Sequence, residues 1–81
     1  MEREVVMPPM GDAAGELVLN TWFKNVGERV QKGEALFEVA TDKVEVSVES
    51  LYSGTLTRTV LAPGESAEEG ATIAYIDEGS G

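Results

Sequence analysis

An internal repeat in this chain of 81 residues limits the folds that are open to it. Positions 26–39 read VGERVQKGEALFEV and align with positions 63–76, which read PGESAEEGATIAYI. Matched residues lie 37 positions apart, as Gly27 and Gly64 do. A unit with only a few short strands is marginal in water on its own, so we expect the two copies to pack against each other and form one domain.

Upstream of these stretches the sequence predicts a different offset of 39 positions between the copies. The matched pairs are Gly15 with Gly54, Leu17 with Leu56, Val5 with Val44, and Met7 with Val46. We expect a difference of two residues between Leu19 and Val26 to absorb the change of offset. Under a pseudo-twofold relation the join of the two copies falls at Asp42-Lys43, and the chain termini lie at the opposite end of the molecule.

Alternating apolar residues favour an all-β fold. Residues 34–52 contain no Gly or Pro and carry some apolar residues at helical spacing. However, Val44, Val46 and Val48 alternate with polar residues, which is the period of a strand with one buried face. Turn residues interrupt the corresponding window of the second copy, which argues against a helix. With about four short strands in each copy, the sequence predicts a flattened barrel or sandwich.

Large apolar residues in these strands are expected to form the core. Trp22 lies in a strand-like segment and is predicted to be half-buried. Met7 and Met10 are predicted to fill gaps between other side chains rather than to bind a ligand. The residues predicted to be mostly buried are Leu17, Leu19, Leu36, Val39, Val44, Val46, Val48, Leu56, Ile73 and Ile76.

Two local irregularities recur in both copies. Leu36 and Val39 cannot share one face of a regular strand, which predicts a β-bulge there and, through the repeat, a second one between Ile73 and Ile76. Four glycines mark turns, and at least one in each copy is expected to need a positive φ, because a Cβ clashes in that conformation. These glycines are Gly27, Gly33, Gly64 and Gly70.

The composition argues against several classes of function. The chain contains no cysteine and no histidine, which removes disulfides, thiolate metal sites and the commonest general base. Its formal net charge of -9 argues against nucleic acid and against an anionic membrane as partners. No apolar run has the roughly 20 residues of a membrane span. We expect a cytoplasmic or mitochondrial-matrix domain at residues 1–77, followed by a flexible linker or tail at residues 78–81.

One lysine lies at the join of the two copies in this acidic chain. A lone lysine in a turn is usually a solvated charge. Lys43, however, stands between Asp42 and Val44 on a short turn between two predicted strands. A side chain displayed there touches little else, which suits covalent modification better than catalysis. Lys24 and Lys32 are also expected to be exposed, but neither occupies the join.

These motifs resemble the lipoyl domains of dihydrolipoyl acyltransferases, which are carriers in 2-oxo-acid dehydrogenase complexes. The matching features are MPPMGD near the start, LNTWFKNVGERVQKGEALFEVATDKV in the first copy and SGTLTRTVLAPGESAEEGATIAYI in the second. The resemblance covers residues 5–77, and its most specific element is ALFEVATDKVEVSVES. It implies a flattened barrel of two four-stranded antiparallel sheets, with lipoate amide-linked to Lys43 at a hairpin tip.

The resemblance also implies a function. In a lipoyl domain the dithiolane accepts an acyl group with reduction, passes it to coenzyme A and is reoxidised, while the protein only tethers it and has no catalytic residue of its own. The implied partners are a 2-oxo-acid decarboxylase component, the acyltransferase catalytic domain, dihydrolipoyl dehydrogenase, and a lipoyl ligase or transferase. Asp42, Glu45 and Glu49 are expected to offer these enzymes an acidic surface.

Two departures from the family pattern bear on the choice of partner more than on the modification. The family often has Ser-Pro after the second strand of the hairpin, where residues 49–52 of this chain read ESLY. The loop at residues 11–15 reads GDAAG, where relatives carry a longer-side-chained acidic motif. In this family that loop lies near the lipoyl-lysine and helps to select the decarboxylase.

Other carriers and modules of similar fold remain as alternatives. A biotinyl carrier domain of a carboxylase also modifies a hairpin lysine, but biotinyl domains usually flank it with methionines, whereas Asp42 and Val44 flank Lys43 here. A glycine-cleavage carrier is longer and has extra helical parts. An unmodified lipoyl-like structural module, as in membrane-fusion adaptors, usually has a long helical hairpin where this chain has two residues.

Overall fold

The structure, a computed structural model, describes residues 1–9, 17–41 and 44–78. Within these ranges the chain forms eight β-strands and no helix, and so contains no helix that could cross a membrane. The strands are β1 (Glu2–Val6), β2 (Leu17–Trp22), β3 (Arg29–Val30), β4 (Ala35–Ala40), β5 (Glu45–Glu49), β6 (Gly54–Thr59), β7 (Ser66–Ala67) and β8 (Thr72–Asp77).

The strands form two four-stranded antiparallel sheets, which confirms the predicted all-β fold. One sheet has the order β1-β8-β6-β3, and the other has the order β5-β4-β2-β7. In each sheet, two central strands of one half lie between two edge strands of the other half. The exchange is clearest for the two strands of only two residues. β3 follows β2 in the chain but pairs with β6, and β7 follows β6 but pairs with β2. Each half of the chain therefore completes the sheet of the other half.

From β2 onward the two halves match at a constant offset of 37 residues. Leu19 lies opposite Val39 in one sheet, as Leu56 lies opposite Ile76 in the other. Leu56 therefore corresponds to Leu19, and the predicted match with Leu17 at an offset of 39 is wrong. A slip of two residues leaves every side chain on the same face of a strand, so the alternation of apolar residues could not reveal it.

Strands β1 and β5 match at a larger offset of 43 residues. Val5 pairs with Ala74, as Val48 pairs with Phe37 in the other sheet. The predicted match of Val5 with Val44 is therefore also wrong. The error is again an even number of residues, which preserves the inward and outward pattern.

The two offsets differ because the first half has an insertion between β1 and β2. Met7 and Ser50 are equivalent. The N–H of Met7 donates to the carbonyl of Ala71 at 2.9 Å, and the N–H of Ser50 donates to the carbonyl of Glu34 at 2.8 Å. Ala71 and Glu34 each end a turn and lie 37 positions apart. Nine residues (8–16) lead from this point to β2, whereas three (51–53) lead to β6. The first half therefore carries six additional residues in its first connection, and residues 10–16 of it lie outside the described ranges.

Four turns with a common hydrogen-bond pattern connect the short strands. The third residue of each is a glycine with φ between 82° and 98°, and the N–H of the fourth residue donates to the carbonyl of the first at 2.9–3.1 Å. This is the geometry of a type II turn, in which a Cβ at the third position is strained. Among the residues that the structure describes, only Gly27, Gly33, Gly64 and Gly70 have a positive φ, so the prediction for these glycines is confirmed.

Three of the four turns are closed a second time by a glutamate. Glu28, Glu34 and Glu65 each follow the turn glycine. A carboxylate oxygen of each accepts a hydrogen bond from the N–H of the first turn residue, at 2.7–2.8 Å. The Gly-Glu pairs in the repeat thus mark turns whose backbone donors are satisfied by a side chain.

The core lies between the two sheets and is almost entirely apolar. Phe37 and Met7 are its largest fully buried side chains. Trp22 is half-buried, as predicted; its ring centroid lies 5.3 Å from that of Phe37, and its Nε1 donates to the carbonyl of Leu61 at 2.9 Å. Met10 lies outside the described ranges. The residues whose predicted burial is confirmed are Leu17, Leu19, Leu36, Val39, Leu56, Ile73 and Ile76.

β-Bulges occur at equivalent positions of the two halves, as predicted. The register of β4 against β5 shifts around Leu36, and the register of β8 against β1 shifts around Ile73. In each case two neighbouring residues are both buried, such as Leu36 and Phe37. The bulge therefore lets one strand contribute two consecutive side chains to the core.

Two valines that were predicted to be buried are exposed instead. The exposed fractions of Val44 and Val46 are 52% and 37%, and Val48 is half-buried. Val46 lies directly opposite the buried Val39, so it points toward the core side of the sheet. However, β5 is an edge strand, and the opposite sheet does not cover its end near the hairpin. Alternation predicted the direction of these side chains but not how far the core extends.

The two opposed valines form a matched pair for a stability test. Val39→Asp places an unpaired carboxylate in the core and is expected to unfold the domain, because this costs several kcal/mol against a total stability of about 5 kcal/mol. Val46→Asp is expected to lower the free energy of unfolding by about 1 kcal/mol or less. Urea unfolding followed by Trp22 fluorescence measures both. If Val46→Asp unfolds the domain as Val39→Asp does, the position is buried after all.

Gly54 is required for a close approach between strands. A Cβ at this position would overlap the carbonyl oxygen of Asp77 and lie 2.9 Å from Cγ2 of Ile76. Gly54→Ala is therefore expected to lower the free energy of unfolding by about 1–3 kcal/mol, the usual cost of overpacking. The control Thr55→Ala, one residue along β6, is expected to cost less than about 1 kcal/mol. Thermal unfolding compares the variants, and a Gly54→Ala domain as stable as wild type would contradict the expected overlap.

Candidate functional site

Strands β4 and β5 form the hairpin that contains the predicted lysine. Their pairing extends to Ala40 opposite Glu45. Beyond this pair the N–H of Thr41 donates to the carbonyl of Val44 at 2.8 Å, and the N–H of Val44 donates to Oγ1 of Thr41 at 3.2 Å. Two residues, Asp42-Lys43, connect these hydrogen-bonded neighbours. Both lie outside the described residues, so the exposure of Lys43 stays a prediction.

The repeat relates this hairpin end to the place where Met1 and Glu78 pair. The N–H of Glu78 donates to the carbonyl of Met1 at 2.9 Å, which is the counterpart of the bond between Thr41 and Val44. Nε of Arg3 also donates to the Glu78 carboxylate, at 2.8 Å, and this contact raises the pKa of Arg3. The same strand pairing thus ends at the two-residue connection in one half and at Met1 and Glu78 in the other.

The hairpin end and the paired termini lie at opposite ends of the molecule. Leu17 belongs to the hairpin end of its sheet and pairs with Ala67 of the exchanged strand β7. Three residues later the N–H of Gly70 donates to the carbonyl of Met7 at 2.8 Å. Met7 follows β1, at the end of the other sheet that lies away from the termini. The hairpin therefore lies beside Met7, at the end of the other sheet that is farthest from Met1 and Glu78. The pseudo-twofold relation predicts this arrangement.

The sheet that carries the hairpin has an acidic outer surface. Glu45 and Glu49 point to the side of β5 opposite to its core side, and Glu38 of β4 lies on the same outer side. No lysine or arginine occurs in β2, β4, β5 or β7, whereas the strands of the other sheet carry Arg3, Arg29 and Arg58. Uncompensated negative charge is therefore concentrated on the sheet from which the hairpin extends.

The two described lysines differ in their surroundings. The Lys24 ammonium lies 3.6 Å from a carboxylate oxygen of Glu34, and the Lys24 side chain is only 24% exposed. The expectation that Lys24 is exposed is therefore wrong, because the ion pair and the packing beyond β2 hold this side chain against the protein. Lys32 is exposed, as expected. Lys32 is consequently the better matched comparison for Lys43.

Polar groups near the core are satisfied by local hydrogen bonds. In the ranges that the structure describes, every buried side-chain nitrogen or oxygen has a partner, and no three potential ligands come together to hold a metal ion. The buried Ser50 donates its hydroxyl to the carbonyl of Tyr52 at 2.6 Å and accepts from the Tyr52 N–H at 3.2 Å. Where the family often has Ser-Pro, this chain therefore has a serine that forms two hydrogen bonds to the backbone just after β5.

The hydroxyl group of Thr41 is the feature of the hairpin that sequence reasoning missed. A signal was available, because Ser and Thr side chains often bond to the backbone of an adjoining turn. Thr41 directly precedes the two connecting residues. Strand alternation gives no weight to this position, since Thr is also an ordinary β-former.

Comparison with known proteins agrees with this geometry. The sequence model of the biotin/lipoyl family, described as biotin-requiring enzyme, matches residues 3–76. The dihydrolipoyllysine-residue succinyltransferase component of the 2-oxoglutarate dehydrogenase complex of Staphylococcus saprophyticus is 41% identical over 96% of this chain and 18% of that protein. The acetyltransferase component 4 of the chloroplastic pyruvate dehydrogenase complex of Arabidopsis thaliana is 37% identical over 94% of this chain and 16% of that protein. The chain thus spans less than a fifth of the length of these relatives.

A solved structure shows the same fold. The lipoyl domain of the 2-oxoglutarate dehydrogenase complex from Azotobacter vinelandii superimposes with a TM-score of 0.77 at 25% identity, over 95% of this chain and 98% of that one. The family match reaches from β1 into β8 and so includes both sheets. The chain therefore belongs to the biotin/lipoyl domain family and is a lipoyl domain of the kind that dihydrolipoyllysine acyltransferase components carry.

Proposed function

We propose that this domain carries lipoate in amide linkage to Lys43 and acts as the swinging arm of a 2-oxo-acid dehydrogenase complex. The observation that carries the proposal is the hairpin end, where Thr41 and Val44 are hydrogen-bonded and only Asp42-Lys43 connect them. The relatives are named for a dihydrolipoyllysine residue, which supports lipoate as the attached group.

The surroundings of the hairpin fit a covalently attached arm. Val44, the residue after Lys43, is half exposed, so the fold leaves space beside the connection. The hairpin lies at the end of the molecule away from Met1 and Glu78, so an arm attached there extends away from any tether joined to the termini. Lys24 fits this role less well, because its ammonium is paired with Glu34.

Attachment needs only an amine and an activated carboxyl group. ATP first activates the carboxyl group of lipoate. The Lys43 nitrogen loses a proton and forms an amide bond to the activated carboxyl carbon. The leaving group departs with the electron pair of its bond, and the nitrogen loses a second proton. When bound, lipoate supplies a dithiolane that accepts and releases acyl groups with a change of redox state. The residues of this chain hold the attachment point.

Tethering explains why a carrier is useful without catalytic residues of its own. A group on a flexible linker reaches each active site at an effective concentration in the roughly millimolar range. The relatives are much longer acyltransferase components, and we propose that the parent protein likewise carries an acyltransferase catalytic domain. The further partners proposed are a 2-oxo-acid decarboxylase component, dihydrolipoyl dehydrogenase, and the ligase or transferase that attaches lipoate.

The acidic sheet surface supports docking of the arm onto basic surfaces of these partners. Glu38, Glu45 and Glu49 lie on the outer side of the sheet from which the hairpin extends. Amide formation at Lys43 removes one positive charge from a chain whose formal net charge is already -9. Charge complementarity of this kind acts mainly on the association rate and on the choice of partner.

A biotinyl carrier is the second candidate function. The description of the matching family as biotin-requiring enzyme favours it. Against it stand the names of the relatives and the absence of methionine on either side of Lys43, where Asp42 and Val44 are found. The two candidates use the same lysine and differ in the attached group, so one experiment separates them.

Replacement of the lysine tests the proposal directly. Wild type and Lys43→Ala are co-expressed with a lipoyl ligase, with lipoate and biotin supplied separately, and intact mass is measured. Wild type is expected to gain the mass of one lipoyl group, and Lys43→Ala is expected to gain none. Since a surface substitution usually changes stability by no more than about 0.5 kcal/mol, the variant is expected to unfold at the same urea concentration as wild type.

The two other lysines serve as controls for this test. Lys32→Ala, the exposed match, and Lys24→Ala, the ion-paired one, are both expected to keep the full lipoyl mass. A lipoyl group that survives in Lys43→Ala would show that the site is wrong. Biotin found on Lys43 would leave the site intact but would overturn the identity of the cofactor.

A further inference from the structure

We propose that Thr41 positions Lys43 for lipoyl attachment through its hydroxyl group. The inference rests on the proposed function and goes beyond it, because it assigns the efficiency of attachment to a side chain other than the modified lysine. Thr41 lies between the last residue pair of the hairpin, Ala40 opposite Glu45, and the two-residue connection. It is therefore a positioning residue and does not itself react.

The hydrogen bonds of Thr41 differ from those of an ordinary four-residue turn. In such a turn the N–H of the fourth residue donates to the carbonyl of the first. Here the N–H of Val44 donates to Oγ1 of Thr41 at 3.2 Å, while the N–H of Thr41 donates to the carbonyl of Val44 at 2.8 Å. The same hydroxyl lies 3.5 Å from that carbonyl. The side chain thus replaces a backbone acceptor, as Ser and Thr side chains do in turns.

The equivalent position in the other half shows that the hydroxyl is not needed to end the sheet. Glu78 corresponds to Thr41, and its N–H donates to the carbonyl of Met1 at 2.9 Å. The amino group of Met1, which corresponds to the N–H of Val44, instead forms an ion pair with Asp77 at 3.2 Å. There the side-chain acceptor is the Asp77 carboxylate, so the sheet ends without a hydroxyl group. The hydroxyl contact is found at the hairpin, next to the residue proposed for modification.

A closed hairpin end at Thr41 and Val44 favours recognition by the enzyme that attaches lipoate. Without the Thr41 hydroxyl, the N–H of the half-exposed Val44 can bond to water, so the fold loses little stability. The hairpin end is then held by one hydrogen bond fewer. If the attaching enzyme binds the hairpin with this contact formed, the apparent KM for the domain rises by the factor by which that state becomes rarer, while kcat is unchanged.

Steady-state lipoylation of the whole chain tests this inference. Thr41→Val keeps the shape of the side chain but removes the acceptor, and it is expected to raise KM for the domain about three- to tenfold, the ratio that corresponds to one hydrogen bond. The value of kcat is expected to stay within about twofold of wild type. Thr41→Ser keeps the hydroxyl and is expected to restore the wild-type KM. Thermal unfolding verifies that the variants are folded, and Thr41→Ala replaces Thr41→Val if the bulk of valine disturbs the strand.

A threonine elsewhere in the fold provides the matched control. Thr72 is half-buried like Thr41 and donates its hydroxyl to a carboxylate oxygen of Glu4 at 2.9 Å, in the sheet that does not carry the hairpin. Thr72→Val therefore removes one side-chain hydrogen bond without touching the hairpin. Its KM for lipoylation is expected to equal that of wild type.

Amide hydrogen exchange measures the contact without any lipoylation. The Val44 amide is expected to be protected in wild type and Thr41→Ser and to exchange faster in Thr41→Val. Three results would each overturn the role of the hydroxyl and leave the Lys43 assignment intact. These are an unprotected Val44 amide in wild type, an unchanged KM in Thr41→Val, and a raised KM that Thr41→Ser fails to restore. If wild-type Lys43 receives no lipoyl group at all, the proposed function and this inference both fall.

Discussion

Reciprocal backbone hydrogen bonds join the two halves of the fold. Leu19 in β2 donates its N–H to the carbonyl of Glu65 and accepts from the N–H of Gly64, both at 2.8 Å. Leu56 in β6 makes the equivalent pair of bonds with Glu28 and Gly27, at 3.0 and 2.7 Å. These bonds bring each turn onto the opposite half, carry β3 and β7 into the other sheet and bury the leucine side chains between the sheets. Since neither half has a complete sheet without the other, the two are expected to fold together.

The same arrangement separates the core of the domain from the hairpin that is proposed to carry the lipoyl group. Buried side chains such as Met7 and Phe37 lie where the two sheets overlap, while the hairpin and the chain termini lie at opposite ends. Toward the hairpin the cover of the opposite sheet ends, and Val46 and Val44 become exposed. The proposed attachment of lipoate at this end leaves the core untouched, and the Thr41 hydroxyl adds a hydrogen bond to Val44 where packing is sparse.

Sequence reasoning succeeded where a residue acts through its own backbone or through its nearest neighbours. A type II turn needs glycine at its third position, so Gly27 and Gly64 could be recognised without knowledge of the partner strands. The bulge at Leu36 could be predicted because two apolar residues fall on opposite faces of a regular strand. It failed where the answer depends on a distant segment. Gly54 is required by the carbonyl of Asp77, and Lys24 is held by Glu34, and neither partner is a sequence neighbour.

Several features could be predicted without the structure: a twofold repeat of short strands, glycines in the turns, leucines and isoleucines in the core, and a single lysine at the join. Those features follow from backbone sterics and from the period-two alternation of side chains, both of which are local. Contacts in the folded domain were needed to establish the offset between the halves, the exchange of strands such as β3 and β7, and the point at which β5 leaves the core. Alternation is unchanged by a shift of two residues, so the offset follows only from hydrogen bonds between distant strands. Burial depends on which strand lies opposite, and this too is known only from the pairing of distant strands.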